Sequence, residues 1–325
     1  MRRSSIYLIF FVLLAGCMPS PPIPTSTPVA TATLTPVPTA TFTPTPQPTA
    51  TPKPLVPNFD HIVVLIFENK EFGSVIGNTD MPNFNRLAND YTLLEQFYAV
   101  THPSLPNYLA IIGGDTFGVD SNCAQCFISE PSLPDLIEAS GRTWKTYQED
   151  MPEPCYVGSH GDYAQKHNPF IYFDSIRLDT ARCNEHIVPL TALQTDIDAG
   201  TLPNFIFITP NMCNSAHDCS LDVTDVWLGE QLTQLIPALD REGSNYLIVL
   251  TWDEGQGDHG CCGLPEQAGG RIAVVFLSPL VKNNFKDETP YTHYSLLKTI
   301  SSAWSLDFLG HAGDENNTLI TAPFK

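Results

Sequence analysis

The sequence predicts a three-layer α/β/α sandwich around a central, mostly parallel sheet. Two patterns predict it. Four short, continuously apolar runs stand out: His61–Phe67 (HIVVLIF), Asn204–Ile208 (NFIFI), Tyr246–Trp252 (YLIVLTW) and Ile272–Leu277 (IAVVFL). Such runs suit strands buried on both faces, as in a parallel sheet covered by helices. Helical patterns alternate with them. Met81–Asp90, Leu133–Ser140 ending at Gly141, Val223–Arg241 and Tyr294–Trp304 carry apolar residues three and four apart. Alternation of this type builds layered α/β domains. No internal repeat is present.

The chain starts with a different kind of segment. Arg2 and Arg3 precede an apolar run, Ile6–Gly16. The run is too short for a membrane-spanning helix, which needs roughly 20 residues. Its layout is that of a secretory signal peptide. It ends Leu14-Ala15-Gly16-Cys17, which resembles the bacterial lipobox and makes residues 1–17 a lipoprotein signal with a lipidated Cys17. Residues 18–57 are almost entirely Pro, Thr, Ala, Ser and Val. Proline breaks helices and removes ladder donors, so this stretch reads as a disordered, semi-extended tether. Its repeated Thr-Pro steps also fit a mucin-like stalk.

Residues 58–325 remain as the folded domain. Of the 16 Lys+Arg, three precede residue 58; all 35 Asp+Glu follow it. The domain is therefore strongly acidic. That balance excludes nucleic acid as a main partner, because phosphate backbones are gripped by clustered Lys and Arg. It equally excludes adsorption to anionic lipid, leaving a lipid on Cys17 as the expected membrane contact. Eight cysteines follow Cys17. An even number in an exported chain predicts disulfides, and a short separation such as Cys213/Cys219 could pin a loop. Zinc thiolate sites are the rival reading, weakened by the lack of two well-spaced Cys-x-x-Cys pairs.

The residues just past the strand ends point to function. His61–Phe67 runs into Glu68-Asn69, Tyr246–Trp252 into Asp253-Glu254, and Asn204–Ile208 into Pro210-Asn211 and then His217-Asp218. Sites in open α/β sheets gather outside the carboxyl ends of strands. Three strands delivering carboxylate, amide and imidazole groups to one rim is what a metal-dependent hydrolase needs. Thr101-His102-Pro103-Ser104-Leu105-Pro106-Asn107-Tyr108 adds a hydroxyl. Pro106 suits a first helical turn, which puts Ser104 beside backbone donors that favour an anion. Read alone, Ser104 could equally be a plain N-cap.

Six segments occur in order: Phe67-Glu68-Asn69-Lys70, Thr101–Tyr108, Lys166-His167-Asn168-Pro169-Phe170, Thr209–Asp218, Trp252-Asp253-Glu254-Gly255 and Thr292-His293-Tyr294-Ser295-Leu296-Leu297. Together they resemble the bacterial phosphoesterases that include acid phosphatases and phosphatidylinositol-phosphate phosphatases, with phospholipases C as more distant members. The resemblance spans about residues 60–305 and implies the alkaline-phosphatase-like fold. It places Ser104 at the nucleophile and Asn107 at a phosphoryl oxygen. Glu68, Asn69, Asp253 and Glu254 match a metal-binding set that also holds Ser104. His217, Asp218 and His293 match positions that close the other side of the pocket, where they bind a second metal, contact phosphate or protonate the leaving group. Lys166 and His167 match a motif near the phosphate; from the residues alone they form an ordinary turn.

The two-zinc members of that superfamily carry Asp-His where this chain has Asp253-Glu254. Carboxylate and amide oxygens favour Mg²⁺, Ca²⁺ or Mn²⁺ over Zn²⁺, as one ion or two. Asp258-His259 resembles a metal pair in isolation but lies in a Gly-rich loop beside Cys261-Cys262. The function expected is an extracytoplasmic, lipid-anchored or secreted phosphomonoesterase, monomeric, acting on a small phosphate ester or phospholipid headgroup. The alternatives are a phosphodiesterase of phospholipase C type and a non-catalytic binding module on the same fold. Of the remaining histidines, His61 reads as structural and His160, His186 and His311 as surface residues.

Overall fold

The computed structural model describes residues 55–325. The signal segment with Cys17 and the tether up to residue 54 lie outside the described residues. The packed domain takes in slightly more of the chain than its composition indicates, because Val56 is already buried.

Nine strands form one sheet: β1 (His61–Phe67), β2 (Thr92–Tyr98), β3 (Trp144–Gln148), β4 (Ile187–Pro189), β5 (Phe205–Thr209), β6 (Tyr246–Trp252), β7 (Arg271–Leu277), β8 (Phe285–Asp287) and β9 (Tyr291–Thr292). The order is β4-β3-β5-β1-β6-β7-β2-β8, with β9 also against β2. β7 runs antiparallel to both its neighbours, β6 and β2. The other pairings are parallel. The four apolar runs are thus β1, β5, β6 and β7, and the first three are adjacent. Every residue of β1, β5 and β6 is buried, as expected for central strands covered on both faces.

Strand alternation assigns the helices to two layers. Val64 pairs with Phe207, so Phe67 points to the opposite face from Phe207. Phe67 and its neighbour Trp252 pack on Trp227 and Phe84, which belong to the helices Leu221–Arg241 and Pro82–Asp90. Phe207 instead meets Tyr108 of the helix Ser104–Gly113. Phe205, on the same face as Phe207, meets Trp304 just past the helix His293–Ala303. The sandwich is therefore three-layered, and all four tryptophans are core residues.

Asp225 joins the two helices of the first layer. It is buried in Leu221–Arg241, and its carboxylate accepts from the Asn83 and Phe84 backbone N–H groups at 2.9 and 2.8 Å. Those are free donors of the first turn of Pro82–Asp90, so one helix caps the other. His61 is structural, its Nδ1 2.9 Å from the Pro203 carbonyl and its Nε2 3.2 Å from Glu242. His186 departs from its expected surface place. It stacks on the Trp144 ring at 4.5 Å, sharing the apolar cover of β3.

The eight domain cysteines form four disulfides: Cys123–Cys126, Cys155–Cys183, Cys213–Cys219 and Cys261–Cys262. No helix among the described residues is long and apolar enough to cross a membrane.

Candidate active site

β1, β5 and β6 end side by side, and the segments that leave them are stitched together by backbone groups. The Glu68 N–H donates to the Ser215 carbonyl at 2.9 Å, and the Asp253 N–H to the Phe67 carbonyl at 2.9 Å. Lys70 Nζ donates to the Ala216 carbonyl at 2.8 Å. Asn69 takes a left-handed turn (φ 57°) that Asn tolerates, and its N–H reaches Asp253 Oδ1 at 2.8 Å. Glu71 braces the far side: its carboxylate accepts from the N–H groups of Gln256, Gly257 and Arg271 at 3.0–3.1 Å. The 253–271 connection is thereby tied to the end of β1.

Ser104 enters from a fourth direction. It begins the helix Ser104–Gly113, which follows β2 and places Pro106 in the first turn, where its missing N–H costs nothing. The Leu105 N–H is satisfied by Asn122 Oδ1 at 3.0 Å. Asn107 fastens the loop just before the helix. Its Oδ1 accepts from the Val100 and Thr101 N–H groups, and its Nδ2 donates to the Thr101 and Pro103 carbonyls. Both ends of this amide are therefore spent on positioning Ser104.

Two buried carboxylates flank the hydroxyl, and a third, Asp253, is buried beside them. Ser104 Oγ lies 3.1 Å from Glu68 Oε2 and 3.2 Å from Glu254 Oε1. The Tyr108 hydroxyl donates to Glu68 Oε1 at 2.5 Å. His102 Nδ1 contacts Glu254 Oε2. Asp253 Oδ1 accepts from the Asn69 and Glu254 N–H groups, while its buried Oδ2 has no partner. This density of carboxylate is costly, and the proton affinities show it. Burial raises the Glu68 carboxyl. Burial, and then the Glu68 charge, lifts Asp253 well above the usual range. Burial, and then Asp253, pushes Glu254 up to about 7.

Imidazoles face the same cluster. His167 is buried, stacks on Tyr108 at 5.4 Å, and holds Nε2 3.1 Å from Glu68 Oε1 without hydrogen-bond alignment. Burial, and then the Lys166 charge, depresses it to about 3, so it is neutral at ordinary pH. His217 Nε2 accepts from Lys166 Nζ at 3.0 Å, and its Nδ1–H donates to Asp218 at 2.6 Å. Donor atoms of Glu68, His167 and His217 all lie within 4.8 Å of one another. His293 sits behind Asp253, its Nε2 2.6 Å from the Asp253 carbonyl. It is buried, and burial depresses it to about 4.

Comparisons with known proteins place the chain in a family. The model of the phosphoesterase family matches residues 78–307. This chain belongs to the phosphoesterase family. It is 34% identical over 267 residues to a phosphate-repressible acid phosphatase of Penicillium chrysogenum, covering 78% of this chain and 60% of that protein. It is 33% identical over 261 residues to a phosphatidylinositol-3-phosphatase of Mycobacterium tuberculosis, covering 79% and 81%. The chain thus spans about three fifths of the fungal relative's length. Among solved structures, a Vibrio parahaemolyticus protein of the alkaline phosphatase superfamily aligns with a TM-score of 0.55 at 12% identity, covering 84% and 72%. Murine ectonucleotide pyrophosphatase/phosphodiesterase 5 aligns with a TM-score of 0.53 at 12% identity, covering 81% and 99%. These likenesses establish the alkaline-phosphatase-like fold.

The donor set at this site fits a divalent ion. Among the described residues, Glu68, Asp253 and Glu254 have no Lys or Arg ion pair, and a buried carboxylate oxygen of Asp253 is left over. Buried charge without a partner is not tolerated, so these groups hold either protons or a cation. Oxygen donors from Glu68, Asn69, Ser104, Asp253 and Glu254 suit a hard ion. The Glu68–His167–His217 group offers a second, nitrogen-bearing set beside it. His167, expected near the phosphate, is one of the three members of this group. Asp218 is exposed, and its carboxylate is engaged with His217. Sequence reasoning gave no role to His102 or Tyr108. Both lie in the quoted Thr101–Tyr108 segment, but their carboxylate partners are distant in sequence. Asp258 lies 3.8 Å from His102 Nε2, at the edge of the site.

Proposed function

We propose that this chain is an extracytoplasmic, metal-dependent phosphomonoesterase that works through a phosphoserine intermediate on Ser104. The observation that carries the reading is the Ser104 hydroxyl held between the buried carboxylates of Glu68 and Glu254 at a fixed helix start. A divalent ion on the carboxylate set would neutralise its charge, favour the serine alkoxide and polarise the phosphoryl group.

The residues then divide the work. Ser104 Oγ attacks phosphorus in line while its proton passes to a flanking carboxylate. Lys166 lies beside the site and balances charge on the nonbridging oxygens. His217, once it carries a proton on Nε2 in place of the Lys166 hydrogen bond, hands that proton to the departing alcohol, and Asp218 on Nδ1 orients the ring. The ester P–O bond breaks and a phosphoseryl bond forms. Neutral His217 next takes a proton from water, the water oxygen attacks phosphorus, and Ser104 recovers its proton as phosphate leaves. His293 is a poor proton donor, since it is neutral and faces the Asp253 backbone. The four disulfides support an oxidising compartment. Recovery of a Cys17→Ala chain in the soluble fraction checks the lipid anchor.

The deciding experiment compares hydrolysis of p-nitrophenyl phosphate and of its bis-ester by the full chain, before and after chelation and metal add-back. Monoester turnover that chelation stops is expected. Preference for the bis-ester moves the assignment to a phosphodiesterase, and no turnover with any divalent ion moves it to a binding module.

A further inference from the structure

A cavity of about 340 Å³ opens beside Lys166 and Asp218. Its position ties it to the reaction centre at both ends. Asn122, in its wall, is the residue that satisfies the Leu105 N–H next to Ser104. Lys166 and Asp218, in the same wall, are the two partners of His217. An alcohol that departs toward His217 would leave on the side where these two wall residues stand. Two disulfides fix its sides: Cys123–Cys126 brackets Ala124, and Cys213–Cys219 closes the loop that carries Asp218. A larger cavity of about 870 Å³ lies at the other end of the nucleophile helix, near Gly113 and Phe117, and touches none of the site residues.

The lining describes the occupant. Tyr163, Tyr172 and Gln165 are buried and back the cavity with two phenol rings and an amide held on the Ala124 carbonyl. Aromatic rings with hydrogen-bonding groups around them suit a hydroxylated body with an apolar face. The charge is one-sided. Asp162 and Asp218 line the cavity, and its one cation, Lys166, is already engaged with His217. The surrounding domain is acidic throughout. A leaving group bearing a second phosphate would bring its charge against both carboxylates.

We propose that this cavity is the leaving-group pocket, and that it selects monophosphate esters of uncharged polyols or sugars over esters whose leaving group carries further phosphate. The inference rests on the phosphatase reading and deepens it.

The test uses the full chain with divalent ion and three probes: p-nitrophenyl phosphate, glucose 6-phosphate and fructose 1,6-bisphosphate. The expected kcat/KM for glucose 6-phosphate exceeds that for the bisphosphate by about tenfold or more, and added salt compresses the ratio. Asp162→Lys is expected to narrow the ratio about fivefold, through KM for the bisphosphate. The Asp162 side chain is exposed, and its backbone carbonyl, which accepts from the Met212 N–H, survives the substitution. Asp162→Asn, with a smaller effect in the same direction, guards against a folding defect. Equal turnover of the two sugar phosphates, or a ratio unmoved by both variants, overturns the pocket assignment while the phosphatase reading stands. Absence of turnover on all three probes overturns that reading itself, and the pocket assignment with it.

Discussion

Lowering the pH from 7 to 5 is expected to weaken divalent-ion binding about 100-fold, because the metal must displace protons from carboxyls that burial has made basic. Glu254 fixes the minimum size of the effect. Its carboxyl is pushed up to about 7, so in the metal-free protein it is protonated below that pH. Each unit below 7 then adds roughly 1.4 kcal/mol to the cost of freeing it, or about tenfold in Kd. Glu68 and Asp253 are raised as well, which makes the slope steeper. His167, held down to about 3, stays neutral across this window and adds nothing that opposes the trend. The assay is calorimetric titration of the chelated protein with Mg²⁺ or Mn²⁺ at pH 5, 6 and 7. Repetition in two buffers of different ionisation heat counts the protons released. A Kd that changes less than about threefold, with no proton release, would refute the assignment of these carboxylates as ligands.

Ser104→Ala is expected to lower p-nitrophenyl phosphate turnover by about a thousandfold or more while the melting temperature is kept. A variant that retains more than about a tenth of the activity excludes Ser104 as nucleophile. Asp225→Ala removes the acceptor of two backbone N–H groups at a helix start and should cost about 2–4 kcal/mol in denaturant unfolding. Asp225→Asn, which keeps an acceptor, should cost less. The double variant Cys213→Ser/Cys219→Ser releases the loop that carries His217 and Asp218, and kcat should fall about three- to tenfold. Unchanged kcat would mean that the loop is held by Lys70 and the backbone alone.

Much of the fold was legible because its central strands are buried on both faces. β1 and β6 begin and end where the apolar runs do. β2 was not legible, since Glu95-Gln96 interrupts it at a register shift. β3 mixes faces: Lys145 reaches out to Asp196, while Gln148 bonds the neighbouring Thr146 and Thr209 hydroxyls. β4, β8 and β9 are too short to carry a pattern. The direction of β7 has no signature in composition at all. In the site, the strand ends led to Glu68, Asp253, Glu254 and His217, and the segment resemblance to Ser104 and Lys166. Tyr108 and His102 escaped because their importance lies in which carboxylate they touch, 40 and 152 positions away. The amide of Asn107 faces its own loop, a choice set by local turn geometry that the segment pattern does not carry.

The reversed direction of β7 has an architectural consequence. A parallel neighbour obliges the chain to cross back beneath the sheet before it can return to the rim. Between β6 and β7 that excursion is absent: the chain leaves one strand and enters the next at the same edge. The stretch from Gly255 to Gly270, with its Cys261–Cys262 pair, is therefore a self-contained flap at the rim of the site. Its length can be changed without altering the path of any strand, so long as Glu71 still clamps its two feet. Relatives and engineered versions can redraw the entrance here and leave the carboxylates beneath undisturbed.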